Sequence, residues 1–119
     1  MSDLESKSLD APEEERTFPN GSAGLVTVGG ATIGRFMFQP GWRWSESIKQ
    51  VVKTDSCQNH HQGVGVAGRI HVVADNGAEV EIGPGEAYNI PPGHDAWVVG
   101  DEPFVGYEFK SAAEYARPA

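Results

Sequence analysis

The stretch "GVGVAGRIHVVADNGAEVEIGPGEAYNIPPGHDAW", residues 63–97, decides the fold. Apolar and polar residues alternate along it in short runs. The runs end at turn signatures: Gly68, Asn76-Gly77, Gly83-Pro84-Gly85 and Pro91-Pro92-Gly93. Period-two alternation places successive side chains on opposite faces of a strand. An Asn-Gly pair between two such runs predicts a type I′ hairpin turn.

The same grammar extends in both directions. Candidate strands fall at 25–29, 31–38, 47–53, 61–67, 69–75, 78–82, 87–91, 95–100 and 104–109. They concentrate β-branched and aromatic residues, as strands do. Fifteen glycines and eight prolines in 119 residues suit many tight turns. Only "SAAEYA", residues 111–116, reads as a helical turn. The expected class is therefore all-β, a sandwich or a small antiparallel barrel, with any ligand site in its mouth.

The chain is long enough for one core and too short for two. Its net charge is −8, from 9 basic and 17 acidic residues. Residues 1–17 are expected to form a disordered acidic tail, dispensable for stability, and 18–119 a single domain. Lys and Arg form no cluster, which argues against nucleic acid and anionic membranes as partners. No apolar run approaches the roughly 18 residues of a membrane span. The first residues lack the basic and apolar pattern of a secretory signal, and one cysteine cannot form an internal disulfide. A cytoplasmic location is the expectation. P-loop, GxGxxG, GxSxG and HExxH motifs are all missing from the sequence.

The hairpins of residues 63–97 resemble those of the cupin superfamily, a jelly-roll or double-stranded β-helix barrel. The resemblance extends over about residues 24–110. Gly85, Pro91 and Gly93 match the start of the family's second motif, a glycine, five residues, then P-x-G. The segments "GWRWS", "TDSCQ" and "PGHDAWVVGDEP" are similar to those of small bacterial single-domain cupins of unassigned function. The resemblance implies a homodimer, with the apolar region 24–38 covering a strand edge.

It also implies a metal site, with altered ligands. The family's first-motif glutamate, seven residues before the strand-ending Gly68, falls on His61, and its two histidines fall on Asp55 and Cys57. The last ligand position falls on Ala96, with His94 two residues earlier on the same strand face. The implied donor set is Cys57, His61 and His94, with Asp55 as a fourth. Parity points His61 inward and its neighbour His60 outward. Thiolate and imidazole suit Zn²⁺ or Fe²⁺, with Mn²⁺ or Ni²⁺ as further divalent candidates. A plainer reading stays open for each residue: Cys57 as core, His61 as a hydrogen-bonded core histidine, His94 on a surface turn, Asp55 capping a loop. A nucleophilic Cys57–His61 pair would span roughly 13 Å of extended strand, too far for a hydrogen bond.

Trp42 and Trp44, two apart on one face, read as core or interface, or in a cupin-like barrel as the aromatic wall of a small-molecule pocket, with Tyr88, Trp97, Tyr107 and Phe109 as further wall candidates. Parity assigns Glu108 and Asp95 to the outside, and His71 to an exposed strand face. Two functions remain open. One is a metal-dependent enzyme of dioxygenase, isomerase or lyase type acting on a small organic substrate. The other is a small-molecule-binding or regulatory module without turnover.

Overall fold

The computed structural model describes residues 4–49 and 60–110. Asp55, Cys57, most of the expected strand 47–53 and the expected turn 111–116 lie outside the described residues. Among the described residues nine strands follow in chain order: β1 (Glu14–Phe18), β2 (Gly21–Val28), β3 (Ala31–Phe38), β4 (His61–Ala67), β5 (Arg69–Ala74), β6 (Glu79–Ile82), β7 (Ala87–Ile90), β8 (His94–Val99) and β9 (Phe104–Lys110). One short helix among these residues, α1 (Trp44–Ser47), follows β3. Ser47 and the helix-capping Ile48, expected to open a strand, belong to this helical turn.

All pairings are antiparallel. One sheet has the order β1-β2-β3-β9-β4-β7 and the other β6-β5-β8. Among the described residues the two sheets are not closed into a continuous barrel, which falls within the sandwich-or-barrel class that the strand rhythm implies. They share one core instead, with Leu25, Phe36, Phe38 and Phe104 from the larger sheet meeting Ile70, Val72, Ile82 and Val98 from the smaller. β5 and β8 alternate strictly, with Ile70, Val72, His94, Ala96 and Val98 buried between outward residues. That alternation is the period-two pattern of the sequence, realised as a half-buried sheet.

The β5–β6 hairpin forms where Asn76-Gly77 predicts it, but with a different turn. Of the pair, only Gly77 has a positive φ, at 91°. Its N–H donates to Ala74 O at 2.9 Å, and Ala78 N–H reaches Asn76 Oδ1 at 3.0 Å. This is a type I turn followed by a left-handed glycine, which also suits the strand twist.

The acidic leader is more engaged than its composition suggests. Glu14–Phe18 pairs along β2 from Glu14↔Leu25 to Phe18↔Gly21. Ahead of it, Asp10 meets Arg35 at 2.6 Å, and Lys7 Nζ donates to Thr27 O at 2.6 Å. Backbone pairing needs no apolar side chain, so a polar segment can still close a sheet edge. Its charges also suit an edge strand, where they discourage pairing with other chains.

Candidate functional site

Four polar side chains from four strands meet inside the core. His61 opens β4, Tyr88 lies on β7, His94 opens β8 and Glu108 lies on β9. His61 and His94 are each 4% exposed and Glu108 5%, a degree of burial charged residues reach only with partners. Glu108 supplies them. Its Oε1 lies 2.6 Å from His61 Nδ1, and its Oε2 accepts the Tyr88 hydroxyl at 2.8 Å.

His94 is anchored separately, through Nδ1 to Pro91 O at 3.0 Å. A backbone carbonyl only accepts, so His94 Nδ1 carries a proton. An ionised Glu108 imposes the same arrangement on His61. In a neutral ring this leaves the Nε2 lone pair as the ligating one, for both histidines. The ring centres are 5.2 Å apart at an interplanar angle of 70°. Burial pushes the Tyr88 hydroxyl pKa up, and the neighbouring Glu108 charge and hydrogen bond add to the rise. Tyr88 is thus a firm donor to the carboxylate.

Glycines make room for this group. Glu108 stands opposite Gly34 on β3 and Gly63 on β4. A Cβ on Gly63 would come within 3.0 Å of the Tyr88 hydroxyl, and one on Gly106 within 3.1 Å. The β4–β9 ladder also shifts register between Gln62 and Gly63 and between Gly65 and Ala67. Such bulges re-aim side chains at sites of this kind.

The structure brings His61 and His94 together and turns His60 away, with His60 Nε2 on Asn89 Oδ1 at 2.6 Å. Ala96 is buried on the same face as His94, as parity requires. Glu108 is a correction. It points inward on β9 with Phe104, whereas Tyr107 is half-buried on the outer face and Phe109 is 60% exposed. The sequence reading placed Tyr107 and Phe109 in the pocket wall, and with that Glu108 on the outer parity. The residue that pairs with His61 was thus assigned to the wrong face, and the inward glycines 63, 65 and 106 were the signal for it.

The aromatic wall divides. Trp42 and Trp44 are each 2% exposed and line an interior cavity of about 30 Å³, together with Tyr88, His61 and His94. That volume holds little more than one water. The Trp42 and Trp44 indole N–H groups are buried and find no hydrogen-bond partner among the described residues. Trp97 lies on the outer face instead, stacked on His71 with ring centres 4.8 Å apart, with the Arg43 guanidinium 4.3 Å over its ring. His71 is half-buried there, not exposed. Asp95 is outward as expected, and Asp95 Oδ1 accepts the Ser45 N–H at 3.1 Å.

Beside this centre a groove of about 390 Å³ opens between the β5–β6 turn and the β7–β8 loop, and His94 lies in its wall. Among the described residues no group of three or more His, Cys, Asp and Glu side chains is placed to hold a metal. The described helices include none long and apolar enough to cross a membrane.

No family model and no curated protein matches the sequence. Solved structures do match in fold. A cupin 2 conserved barrel domain protein from Salinispora arenicola has a TM-score of 0.61 at 19% identity, covering 89% of this chain and 87% of its own. A cupin-superfamily sugar phosphate isomerase from Silicibacter pomeroyi scores 0.60 at 18% identity, covering 87% and 73%. A protein of unknown function from Vibrio parahaemolyticus scores 0.59 at 14% identity, covering 81% and 96%. The fold is thus cupin-type.

Proposed function

We propose that this is a metal-binding cupin-type protein acting on a small organic molecule, with a divalent ion held by His61 and His94. Cys57 and Asp55 complete the donor set in this reading. The carrying observation is the buried pair of imidazoles, each anchored through Nδ1, with ring centres 5.2 Å apart. Two imidazoles on one tetrahedral ion, with metal–nitrogen distances near 2.0–2.1 Å, have ring centres about 5 Å apart. An acceptor behind each ring is also the usual support of a ligating histidine.

When bound, Zn²⁺ or Fe²⁺ at this position supplies Lewis acidity or activates water. The chain's own residues do the rest. Glu108 holds the His61 proton at Nδ1, Tyr88 holds Glu108, and Trp42 and Trp44 keep bulk water out of the centre.

Metal analysis of untagged protein tests the reading. His61→Ala and His94→Ala are each expected to lower bound metal several-fold, and His60→Ala to leave it unchanged. A thiol reagent should label Cys57 faster after chelation, because a ligating thiolate is protected. Metal content indifferent to both inward histidines would overturn the proposal. A binding module without turnover is the second reading. The favouring observation is that the described residues contribute two imidazoles and no third donor.

A further inference from the structure

Two buried donors beside the histidine pair lack an acceptor. Trp42 and Trp44 are each 2% exposed, and neither indole N–H finds a hydrogen-bond partner among the described residues. An indole nitrogen only donates, so what each lacks is an acceptor. Burial strips such a group of its hydrogen bond to water, and native structures keep few of them. Both rings line the interior cavity of about 30 Å³, with His61, Tyr88, His94 and Glu108 also in its wall.

The backbone fixes the two rings there. Trp42 O accepts the Val98 N–H at 3.1 Å, Arg43 bridges antiparallel to Trp97, and Asp95 Oδ1 accepts the Ser45 N–H at 3.1 Å. Residues 42–45 therefore run alongside β8 in the opposite direction, and that register sets Trp42 beside Val98 and Trp44 beside Ala96. His94 opens the same buried row. Ala96, the smallest side chain of the row, lines the cavity with the two indoles. Trp42 is held further by its stack on Phe38, with ring centres 4.0 Å apart.

A cavity of this volume holds one water or the leading atoms of a larger molecule. The groove of about 390 Å³ shares Val72, Ile90 and His94 with it, so the rest of such a molecule has room there. An oxygen acceptor loses hydration on entering, and the indole N–H groups make up that loss. An aliphatic or donor-only group in the same place leaves both indoles unsatisfied.

We propose that the Trp42 and Trp44 indole N–H groups are donors to the ligand of the His61–His94 centre, and that this ligand presents a carbonyl or carboxylate oxygen to them. The proposal rests on that centre being the ligand site, and the contact itself requires no metal.

Formamide, formate and ethylammonium are probes of three heavy atoms that present a neutral carbonyl, a carboxylate and a donor-only group. Each is titrated into the full chain while the indole N–H signals of the three tryptophans are followed by ¹⁵N-edited NMR. The Trp42 and Trp44 signals are expected to move downfield and saturate with formamide, formate or both. Dissociation constants of about 1 mM or weaker suit so few atoms. Trp97, stacked on His71 outside, is the internal control and should stay in place. A response to formamide alone identifies a carbonyl ligand, and to formate alone a carboxylate.

Trp42→Phe and Trp44→Phe should each weaken the responding probe about fivefold, the scale of one lost hydrogen bond. If either variant fails to fold, the titration of the unaltered chain decides alone. An equal response to ethylammonium, or indole signals unmoved by both oxygen probes, would overturn the proposal. An indole-to-water cross-peak that persists beside unmoved signals would assign the cavity to a structural water and overturn it too.

Running the series on chelated and zinc-loaded protein keeps this claim apart from the metal reading. Indole response without zinc uptake would sink the metal reading alone. Zinc uptake that depends on His61 and His94, with indoles silent in both forms, would sink the donor role alone.

Discussion

Two histidine–carboxylate pairs in this molecule have nearly the same contact and different surroundings. His61 and Glu108 approach at 2.6 Å with side chains 5% and 6% exposed. His71 and Glu79 approach at 2.7 Å on the outer face of the smaller sheet, with side chains 24% and 57% exposed. The contact distance therefore says little about what either pair does. Outside, water solvates each partner alone nearly as well as the pair, and salt screens their attraction. Inside, removing one partner strands the other in a medium that cannot solvate it.

The contrast breaks most readily at Glu108. Glu108→Ala removes the acceptor used by both His61 and Tyr88, and should cost about 3 kcal/mol. For a domain of this size that lowers Tm by roughly 12 °C in calorimetry. A loss below about 1 kcal/mol would mean the inner pair is no stronger than the outer one.

A second test uses alkaline pH. The folded-state pKa of Tyr88 is raised above its ordinary 10.0, by burial first and by Glu108 next. The unfolded chain therefore releases this proton before the folded one. The contribution is whole below pH 10 and is lost as pH rises beyond it, by about 1.4 kcal/mol per pH unit. Denaturant titrations between pH 9 and 11 should show this slope, reduced by that amount in Tyr88→Phe. Equal slopes in the two proteins would place Tyr88 in contact with water.

The smallest effect belongs to the outer pair. Glu79→Gln should change stability by no more than about 0.5 kcal/mol. His71 keeps its stack on Trp97 in that variant, at 4.8 Å between ring centres. A loss matching that of Glu108→Ala would erase the distinction between inside and outside.

Much of the frame was legible in the residues. Strict alternation in 69–74 and 94–99 gives the buried face of β5 and β8 and sends His94 inward, and the parity of 61–67 does the same for His61. On β9 the same rule misleads, because both parities there carry apolar residues: Phe104 on one, Val105, Tyr107 and Phe109 on the other. Local pattern cannot choose between two apolar faces. The choice was made by the neighbouring strand β4 of the same sheet, where Gly63 leaves room for a carboxylate and His61 supplies its partner.

Trp42 and Trp97 show the same limit. Both are candidates for the pocket wall, yet Trp42 stacks on Phe38 in the core at 4.0 Å and Trp97 lies under Arg43 outside. β1 is a third case. Its strand pairing is invisible to a composition that counts only charge.

The sequence by itself determined the all-β class, the turn positions, the parity of His60 and His61, and the cupin-type frame. These depend on backbone periodicity and on turn residues, which act within a few positions of themselves. Only the tertiary structure decided that Glu108 lies inside, that Tyr88 holds it, that Trp97 faces out, and that the strands form two sheets around one core. Those outcomes depend on partners 20 to 47 residues away in the chain, as with Tyr88–Glu108 and His61–Glu108. No local pattern carries such a pairing, because its energy arises only when the low-dielectric core has closed around both groups.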